Sequence, residues 1–568
     1  MLKSLLASIA RKRLDAAPGD FGAAVAHFHA GRLVEANEIA RRVLQGDPDR
    51  ADAWNLLGAI ALEQGDPSAA ARNFEDAVAL APLDAGIITN LAETWRRSGD
   101  LDAAEALSRE ALGIDSRRVS ALHTLALTLT AQGRGEEAFE CYQRLQSIDP
   151  DFAPGRAGYL FLLQLIDKLG PLEVAAEHRR LAQHINVPAR WRSLRHANTP
   201  EPDRRLRVGY VSTDFCQHAA SYFIEPLLGG HDGRAFDVVC YSGVKQSDET
   251  TERLRRMAGT WRDVVGLADE QLAELILGDA VDILVDLSGH TAGNRIPVFA
   301  RKPAPVQVTW FGYPGTTGLD SIDYKITDAI CDPPGMSDAF YAERLLRLPD
   351  VLYCYQPPTD MPAVADPPAL RNGYVTFGGM TGAAKLTPAW IALWAGLLAD
   401  VPQSRLVLAS IPAGAARERL RSMFSRSGVD PARIAIHDRM PYDKFWELHH
   451  GVDIALDTYP CNGGTTTCET VWLGVPVVTY AGNRFGGNRL GSSMLASMGL
   501  HELVAATQAD YLAIARALAA DLPRLVALRR DLRTRMHASP LTDRDRFMRN
   551  LEQAYREIWR AWCARQTR

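Results

Sequence analysis

Small and apolar residues recur at a fixed interval of 34 positions in the N-terminal quarter of the chain. Glycines stand at that interval, at Gly31, Gly65, Gly99 and Gly133. Alanines keep the same step, at Ala36, Ala70, Ala104 and Ala138. A glycine suits a helix end that needs positive φ, and a small alanine lets two helices approach closely. The pattern therefore predicts a series of helical hairpins, each closed by a proline such as Pro48 or Pro82.

A period of 34 residues is typical of tetratricopeptide (TPR) repeats. Such hairpins cannot bury their apolar faces alone, so they stack into a superhelix whose concave side suits an extended peptide. We therefore expect a protein or peptide partner along the groove of the repeats. The alternative is that the repeats only join the protein to itself or to a scaffold.

From Leu206 onward, apolar β-branched runs alternate with helical stretches, which predicts buried parallel strands. The predicted strands are Leu206–Ser212, Phe236–Tyr241, Val281–Leu287, Pro305–Phe311, Tyr374–Gly378, Arg405–Ile411, Arg433–His437, Asp453–Leu456 and Val475–Tyr480. The fold class expected is an N-terminal TPR α-solenoid followed by two Rossmann-like α/β lobes. The expected domains are a TPR superhelix at 1–195, lobes at 205–365 and 370–540, and a C-terminal helix at 541–568 that packs back on the lobes.

Composition narrows the class of protein. A chain of 568 residues with 47% hydrophobic and 23% charged residues should fold into several globular domains. Its net charge of −5 and the lack of a long basic run argue against nucleic acid as a main partner. Neither a membrane span nor a secretory segment is predicted, and Ser4–Ala10 is interpreted as a helix start. The eight cysteines contain no C-x-x-C pair, so we expect a cytoplasmic protein without structural zinc.

The stretch from Asp457 to Glu469 carries the strongest chemical signal. A strand ends there in a glycine turn, three threonines follow, and a helix begins. Free backbone N–H groups, the positive end of the helix dipole and the hydroxyls of Thr465–Thr467 can hold a diphosphate without a metal. Glu469 could then hold a ribose. The alternative is an ordinary helix cap.

Two further residues follow predicted strands. Lys385 lies after the first strand of the second lobe, where its ammonium could neutralise departing phosphates. His218 lies after the first strand of the first lobe and could be a base or a phosphate contact. Either residue could instead be a solvated surface side chain. Asp-x-Asp pairs, which could hold a cation, begin at Asp47, Asp100, Asp149 and Asp543, and none follows a lobe strand.

With these motifs the chain resembles the O-linked N-acetylglucosamine transferase family. The motifs are Arg207–Phe215 with His218, Arg301–Gln307 with Gly312–Thr316, and Cys461–Thr466. The resemblance implies a GT-B glycosyltransferase module and inverting transfer of GlcNAc from UDP-GlcNAc to serine or threonine hydroxyls of proteins, without a metal or another cofactor. It places Lys385 and Thr465–Thr467 on the diphosphate and His218 near the reacting centre. The remaining nucleotide-sugar residues it implies are Gly463, Gly464, Glu469, Met440, Tyr442, Gly315 and Thr316.

Two positions depart from well-known members of that family. Gly464 stands where they have a histidine, and Glu469 where they have an aspartate. The string Gly464–Glu469 resembles the plant SPINDLY branch, which implies a protein O-fucosyltransferase that uses GDP-fucose. A third hypothesis is a weakly active scaffold or nucleotide-sugar sensor in which the repeats dominate.

Overall fold

The computed structural model describes residues 19–484 and 486–566. The helix start predicted at Ser4–Ala10 lies outside these residues. Contacts divide the chain into two compact units. One contains the described residues up to Leu162 together with Pro412–Glu418, and the other contains Leu163–Ile411 and Arg419 onward. No helix of the described residues is both long enough and apolar enough to cross a bilayer.

The N-terminal unit is built from antiparallel helix pairs, as the 34-residue period predicts. Its helices, the last of which runs on into the second unit, are α1 Gly19–His29, α2 Leu33–Gly46, α3 Ala51–Glu63, α4 Pro67–Leu80, α5 Ala85–Ser98, α6 Leu101–Ile114, α7 Val119–Ala131, α8 Gly135–Ile148 and α9 Ala153–Leu165. All four repeat glycines have positive φ, between 74° and 93°. The four repeat alanines are fully buried, so the close helix contacts are confirmed.

The second unit begins with two further helices and continues into a seven-stranded sheet. The helices around this sheet are α10 Pro171–Ala182, α11 Ala189–Arg192, α12 Ser221–Gly230, α13 Glu249–Met257, α14 Asp269–Gly278 and α15 Ile296–Ala300. The strands are β1 Leu206–Ser212, β2 Phe236–Ser242, β3 Thr260–Asp263, β4 Ile283–Asp286, β5 Val306–Thr309, β6 Tyr324–Asp328 and β7 Arg344–Leu348. Their order is β3-β2-β1-β4-β5-β6-β7, and every pairing is parallel.

A second parallel sheet forms the other lobe. Its strands are β8 Thr376–Gly379, β9 Arg405–Leu408, β10 Ile434–Ile436, β11 Ile454–Leu456, β12 Val477–Tyr480 and β13 Val504–Ala505. The remaining helices are α16 Ala369–Asn372, α17 Pro388–Asp400, α18 Ala415–Arg426, α19 Tyr442–Leu448, α20 Thr465–Trp472, α21 Leu490–Ser497, α22 Gln508–Ala520, α23 Leu522–His537 and α24 Arg544–Gln566. The strand order β10-β9-β8-β11-β12-β13 confirms a second Rossmann-like lobe.

The C-terminal helix α24 packs on the first lobe. Phe547 stacks on Trp310 with ring centroids 5.8 Å apart. The hydroxyls of Tyr555 and Tyr210 lie 3.3 Å apart, and Glu552 accepts hydrogen bonds from the N–H of Asp232 and from the ring of His231. The apolar stripe of this helix is therefore buried against the first sheet rather than left in solvent.

The repeat packing leads to a stability prediction. Ala104→Leu adds three carbons at a fully buried helix contact, so it should lower the free energy of unfolding by about 1–3 kcal/mol. Ala106→Leu, on an exposed position of the same helix, should change it by no more than about 0.5 kcal/mol. Thermal and urea unfolding of both variants measure the difference. Equal stabilities would show that the alanine spacing does not set the helix contact.

Candidate functional site

The strand orders place the predicted site residues at two equivalent positions. In each sheet the order reverses once, between β1 and β4 in the first lobe and between β8 and β11 in the second. Ligands of doubly wound sheets bind outside the carboxyl ends of the strands at such a point. His218 follows β1, Lys385 follows β8, and Thr465 begins the helix after β11. The fold therefore brings the predicted residues to the ligand-binding edges of both sheets.

The carboxylate of Asp457 lies inside the turn between β11 and α20 and holds it by hydrogen bonds. Its carboxylate accepts hydrogen bonds from the N–H of Gly463 at 2.8 Å, the N–H of Thr458 at 2.9 Å and the hydroxyl of Thr479 at 2.7 Å. Burial raises the pKa of Asp457, although these donors and the nearby Lys385 ammonium act to lower it. The amide of Asn462 also donates to the Thr458 carbonyl at 2.8 Å. The backbone of the turn is thus fixed without any ligand.

The first turn of α20 is the candidate anion-binding part of the site. The first N–H groups of a helix have no partner within the helix, and its dipole is positive at this end. Gly463 is required here because a Cβ on it would lie 2.3 Å from the hydroxyl oxygen of Thr467. Gly464 has open space around it, since a Cβ there would meet no atom within 4 Å. A side chain at Gly464 would therefore fit.

Lys385 lies in a short 3-10 turn, Ala383–Lys385, after β8. Its ammonium donates to the carbonyl of Asn462 at 2.7 Å, so the cation sits beside the glycine turn. The side chain is only partly exposed. Lys385 is therefore not a fully solvated surface lysine. A positive charge, the first N–H groups of a helix and its dipole converge on one point, an arrangement that suits an anion such as a diphosphate.

His218 reaches the same region from the first lobe. The hydroxyl of Thr465 donates to the carbonyl of Ala219, the residue after His218, at 2.9 Å. Nδ1 of His218 accepts the N–H of Ala220 at 3.2 Å, and the imidazole is exposed. The loop carrying His218 is therefore held against the first turn of α20, and its free nitrogen is Nε2.

Three further residues of the predicted nucleotide site lie on α20 and at the start of α19. Glu469 is buried and accepts a hydrogen bond from Nε1 of Trp446 at 3.3 Å. Burial raises the pKa of its carboxyl to about 7. Tyr442 begins α19 with an exposed side chain, and Met440 precedes it with a partly exposed one. Burial, followed by the nearby Glu469 carboxyl, raises the pKa of the Tyr442 hydroxyl. Glu469 and Tyr442 therefore face a common space.

Gly315 and Thr316 line a cavity beside the turn. The hydroxyl of Thr316 donates to Glu343 at 2.6 Å, so this side chain points into the first lobe. The cavity has room of only about 40 Å³ for water-sized groups, which is too small for a nucleotide sugar. Asn488, on its wall, donates to the carbonyl of Pro460, which begins the glycine turn. Its other polar lining residues are Gln164, Tyr341 and Arg484.

The Asp-x-Asp pairs have structural partners. Asp100 accepts the N–H of Ala103 at 3.0 Å as the N-cap of α6, and Asp543 accepts the N–H of Arg546 at 3.0 Å before α24. Asp149 accepts the N–H of Asp151 in a turn. Within the residues that the structure describes, no group of three or more His, Cys, Asp or Glu side chains could hold a metal ion.

Sequence reasoning missed several residues of the site. Asp457 stands out in the sequence only as the start of the motif. Its contact with Thr479 joins neighbouring strands, so no local pattern predicts it. Asn488, Arg484 and Gln164 come from segments far apart in the chain, so no spacing rule connects them. Trp446 stands in an amphipathic helix, where an aromatic residue is usually interpreted as core. Only the assembled lobes bring these side chains to the motif.

Comparison with known proteins gives consistent matches. The profile of Glycosyl transferase family 41 matches residues 162–357 and 368–551, and that of the cytochrome c-type biogenesis protein H TPR domain matches residues 40–153. The probable UDP-N-acetylglucosamine–peptide N-acetylglucosaminyltransferase SPINDLY of Petunia hybrida is 39% identical over 436 residues, covering 73% of this chain and 45% of that protein. The probable enzyme of the same name designated SEC, from Arabidopsis thaliana, is 32% identical over 372 residues, covering 64% and 38%.

A solved structure extends the similarity to most of the chain. A mutant of the Thermobaculum terrenum O-GlcNAc transferase matches with a TM-score of 0.84 and 35% identity, covering 91% of this chain and 98% of that one. The chain spans less than half the length of the two curated plant relatives. These matches confirm the predicted fold class, a TPR array followed by a GT-B module.

The geometry of the turn predicts that an added methyl group lowers ligand affinity at Gly463 but not at Gly464. Gly463→Ala forces Thr467 to rotate its hydroxyl out of the turn, so affinity for a nucleoside diphosphate should fall about tenfold or more. Gly464→Ala has room for its methyl group and should bind within about twofold of the original protein. Titration calorimetry with UDP and GDP measures both. Equal affinities for the two variants would contradict the proposed anion site.

Proposed function

Because the chain belongs to glycosyl transferase family 41, we propose that it transfers a sugar from a nucleotide-sugar donor to serine or threonine hydroxyls of proteins. The main form of the proposal is inverting, metal-independent transfer of GlcNAc from UDP-GlcNAc. One observation carries it: Lys385, the glycine turn and the first turn of α20 meet in one place, and the loop of His218 is hydrogen-bonded to that place from the other lobe. The donor diphosphate and the acceptor would meet there.

The main requirement for transfer is stabilisation of the leaving diphosphate. The acceptor oxygen attacks the anomeric carbon from the face opposite the diphosphate, and the electron pair of the breaking bond goes to a phosphate oxygen. Negative charge grows on that oxygen in the transition state. Lys385, the helix dipole and the N–H groups of Thr465–Thr467 would stabilise it, because fixed donors need no reorganisation. This chemistry requires no metal.

His218 fits the role of a donor rather than a base. Nδ1 accepts the N–H of Ala220, so the neutral imidazole carries its proton on Nε2. An Nε2–H can donate to an oxygen of the donor or the acceptor, but it cannot take up a second proton there. We therefore assign His218 to the alignment of the reacting groups. The acceptor proton would leave to solvent or to a phosphate oxygen.

The repeat array would present the protein acceptor. Helical hairpins stacked in this way offer a concave face to an extended peptide. Asn90 on this array is buried and donates to the amide oxygen of Asn55 at 2.8 Å. The other amide atoms of the pair, Asn55 Nδ2 and Asn90 Oδ1, have no hydrogen-bond partner among the described residues.

GDP-fucose is a second candidate donor. The open space at Gly464 and the longer acidic side chain at Glu469 are the observations that favour it, because both positions differ from those of well-known O-GlcNAc transferases. The residues around the diphosphate would have the same roles with either donor. The two candidates therefore differ only in the nucleoside and sugar contacts.

Lys385→Ala should abolish transfer. The change removes the cation beside the leaving group, and the loss of kcat should be about 100-fold or more with little change in unfolding temperature. Lys444→Ala is the matched control, since Lys444 is an exposed lysine of the same lobe paired with Glu447. Transfer of radiolabelled sugar to protein acceptors measures both. Normal turnover in Lys385→Ala would overturn the assignment.

The donor is identified by titration calorimetry of the full chain with UDP-GlcNAc and GDP-fucose, each with and without a chelator. Binding of UDP-GlcNAc that a chelator leaves unchanged is the expected result, because N–H groups and Lys385 supply the charge that a metal would. Selective binding of GDP-fucose would instead favour fucose transfer, with the same residues in the same roles. Failure to bind either would favour the scaffold hypothesis.

A further inference from the structure

The loop at 312–318, which follows β5, reaches from the first lobe to the second. Its Pro314 lies against Gly486 and Gly487, and a Cβ on either glycine would overlap this proline. The next residue, Asn488, donates a hydrogen bond to the carbonyl of the residue that begins the glycine turn. The loop and the glycine turn are therefore close neighbours at the edge of the two sheets.

The second half of this loop is held by two buried side chains of the first lobe. Glu343 accepts hydrogen bonds from the hydroxyl of Thr316 at 2.6 Å and from the N–H of Thr317 at 2.7 Å. Nε2 of His290 donates to the carbonyl of Thr317 at 2.8 Å. Thr316 and Thr317 are therefore fixed from within the lobe that carries them.

The first half of the loop is held through Tyr313. The buried ammonium of Lys325 donates to the Tyr313 carbonyl at 3.0 Å. The Tyr313 hydroxyl lies 2.6 Å from Nε2 of His178, whose Nδ1 lies 2.7 Å from the carbonyl of Val174. Because a carbonyl can only accept, Nδ1 carries the proton and Nε2 accepts the Tyr313 O–H. Gln164 also donates to the Tyr313 hydroxyl oxygen, at 3.3 Å.

His178 belongs to α10, which precedes the first lobe in the chain. Its side chain is fully buried, and burial, followed by the charge of His290, lowers the pKa of the imidazole to about 3. The ring is therefore neutral near pH 7, with its proton held on Nδ1 by the backbone of α10. The bond from Tyr313 is a permanent link between α10 and the loop.

A small space lies between α10 and the loop. Val174 and Ala175 line it on the side of α10, and Gly315 and Thr316 line it on the side of the loop. It has room of about 40 Å³ for water-sized groups. Because side chains of the described residues do not fill this space, apolar packing does not set the distance between the helix and the loop there. The hydrogen bond of Tyr313 with His178 spans the two elements and sets that distance.

We propose that His178 and Tyr313 are positioning residues for sugar transfer: the hydrogen bond between them holds the 312–318 loop where it aligns the donor sugar with the acceptor hydroxyl. The proposal rests on the function proposed above, and it gives neither residue a contact with substrate. Misplacement of an aligning group by about 1 Å can lower a rate about 100-fold, so the loss of one such bond is measurable.

The test separates alignment from binding. Tyr313→Phe removes the hydroxyl and keeps the ring, so kcat for transfer of radiolabelled sugar to protein acceptors should fall about tenfold. The affinity for UDP and GDP, measured by titration calorimetry of the full chain, should stay unchanged because Asp457 fixes the glycine turn independently. Tyr210→Phe is the matched control. It removes a buried hydroxyl 2.8 Å from the ring of His231, in the same lobe but beside α24, and should transfer normally.

Variants of His178 test the same bond from the other side. His178→Gln keeps an oxygen that can accept the Tyr313 O–H, so it should retain most of the original kcat. His178→Leu has no acceptor and should lose about tenfold in kcat, as Tyr313→Phe does. The double variant Tyr313→Phe with His178→Leu should lose no more than either single variant, because both changes break one hydrogen bond.

Equal kcat values for Tyr313→Phe and Tyr210→Phe, or losses that multiply in the double variant, would overturn the inference while leaving the proposed function in place. A fall in nucleotide affinity as large as the fall in kcat would also overturn it, since the bond would then act through the glycine turn. If His178→Leu does not fold, the comparison of Tyr313→Phe with Tyr210→Phe decides the question. Absence of transfer by the original protein would overturn both proposals.

Discussion

The buried carboxylate of Asp457 is the constraint on which the site depends. It accepts the N–H of Gly463, the N–H of Thr458 and the hydroxyl of Thr479, so it ties the turn to two neighbouring strands. The carbonyl of the same residue accepts Nε1 of Trp390 and the hydroxyl of Tyr511. Because the inward-facing N–H groups of the turn are satisfied by Asp457, those at the start of α20 remain directed outward. The proposed anion site would therefore need no rearrangement of the turn.

The width of the crevice is set by contacts between the lobes. Asp328, at the end of β6, accepts the hydroxyl of Ser493 from α21 at 2.6 Å. The guanidinium of Arg489 donates to the carbonyl of Ile330 at 2.8 Å, and the N–H of Gly486 donates to that of Cys331 at 3.0 Å. These bonds join the first lobe to the second close to the loop after β12. The hydrogen bond from Thr465 to the carbonyl of Ala219 is a further link between the two lobes.

The sequence predicted the central strands well because they are buried on both faces and read as continuous apolar runs. β1 has the predicted bounds, and the other predicted strands are present but mostly shorter. β3, β6, β7 and β13 were missed. β6 contains Lys325, whose ammonium is buried and donates to the carbonyl of Tyr313 at 3.0 Å. Burial lowers the pKa of this lysine, and a local pattern that counts it as polar cannot show that it lies inside.

The residues of the candidate site also divide into those that the sequence could predict and those that it could not. Thr465–Thr467, Lys385 and His218 could be predicted because each directly follows a strand, and the topology of parallel sheets brings strand ends together. The partners of Asp457 and Glu469 could not, because Thr479 comes from β12 and Trp446 from α19. A sequence pattern reports contacts along one element, whereas these contacts join different elements.

The discrimination between donors must therefore come from outside the diphosphate site. Backbone N–H groups, a helix dipole and the Lys385 ammonium bind phosphate oxygens whatever nucleoside or sugar is attached. Gly464 contributes no side chain to the choice. Under the proposed function, the side chains that could choose between donors lie beyond the turn, such as the buried Glu469 and the exposed Tyr442. Donor preference could then change while the groups proposed to stabilise the leaving diphosphate stay the same.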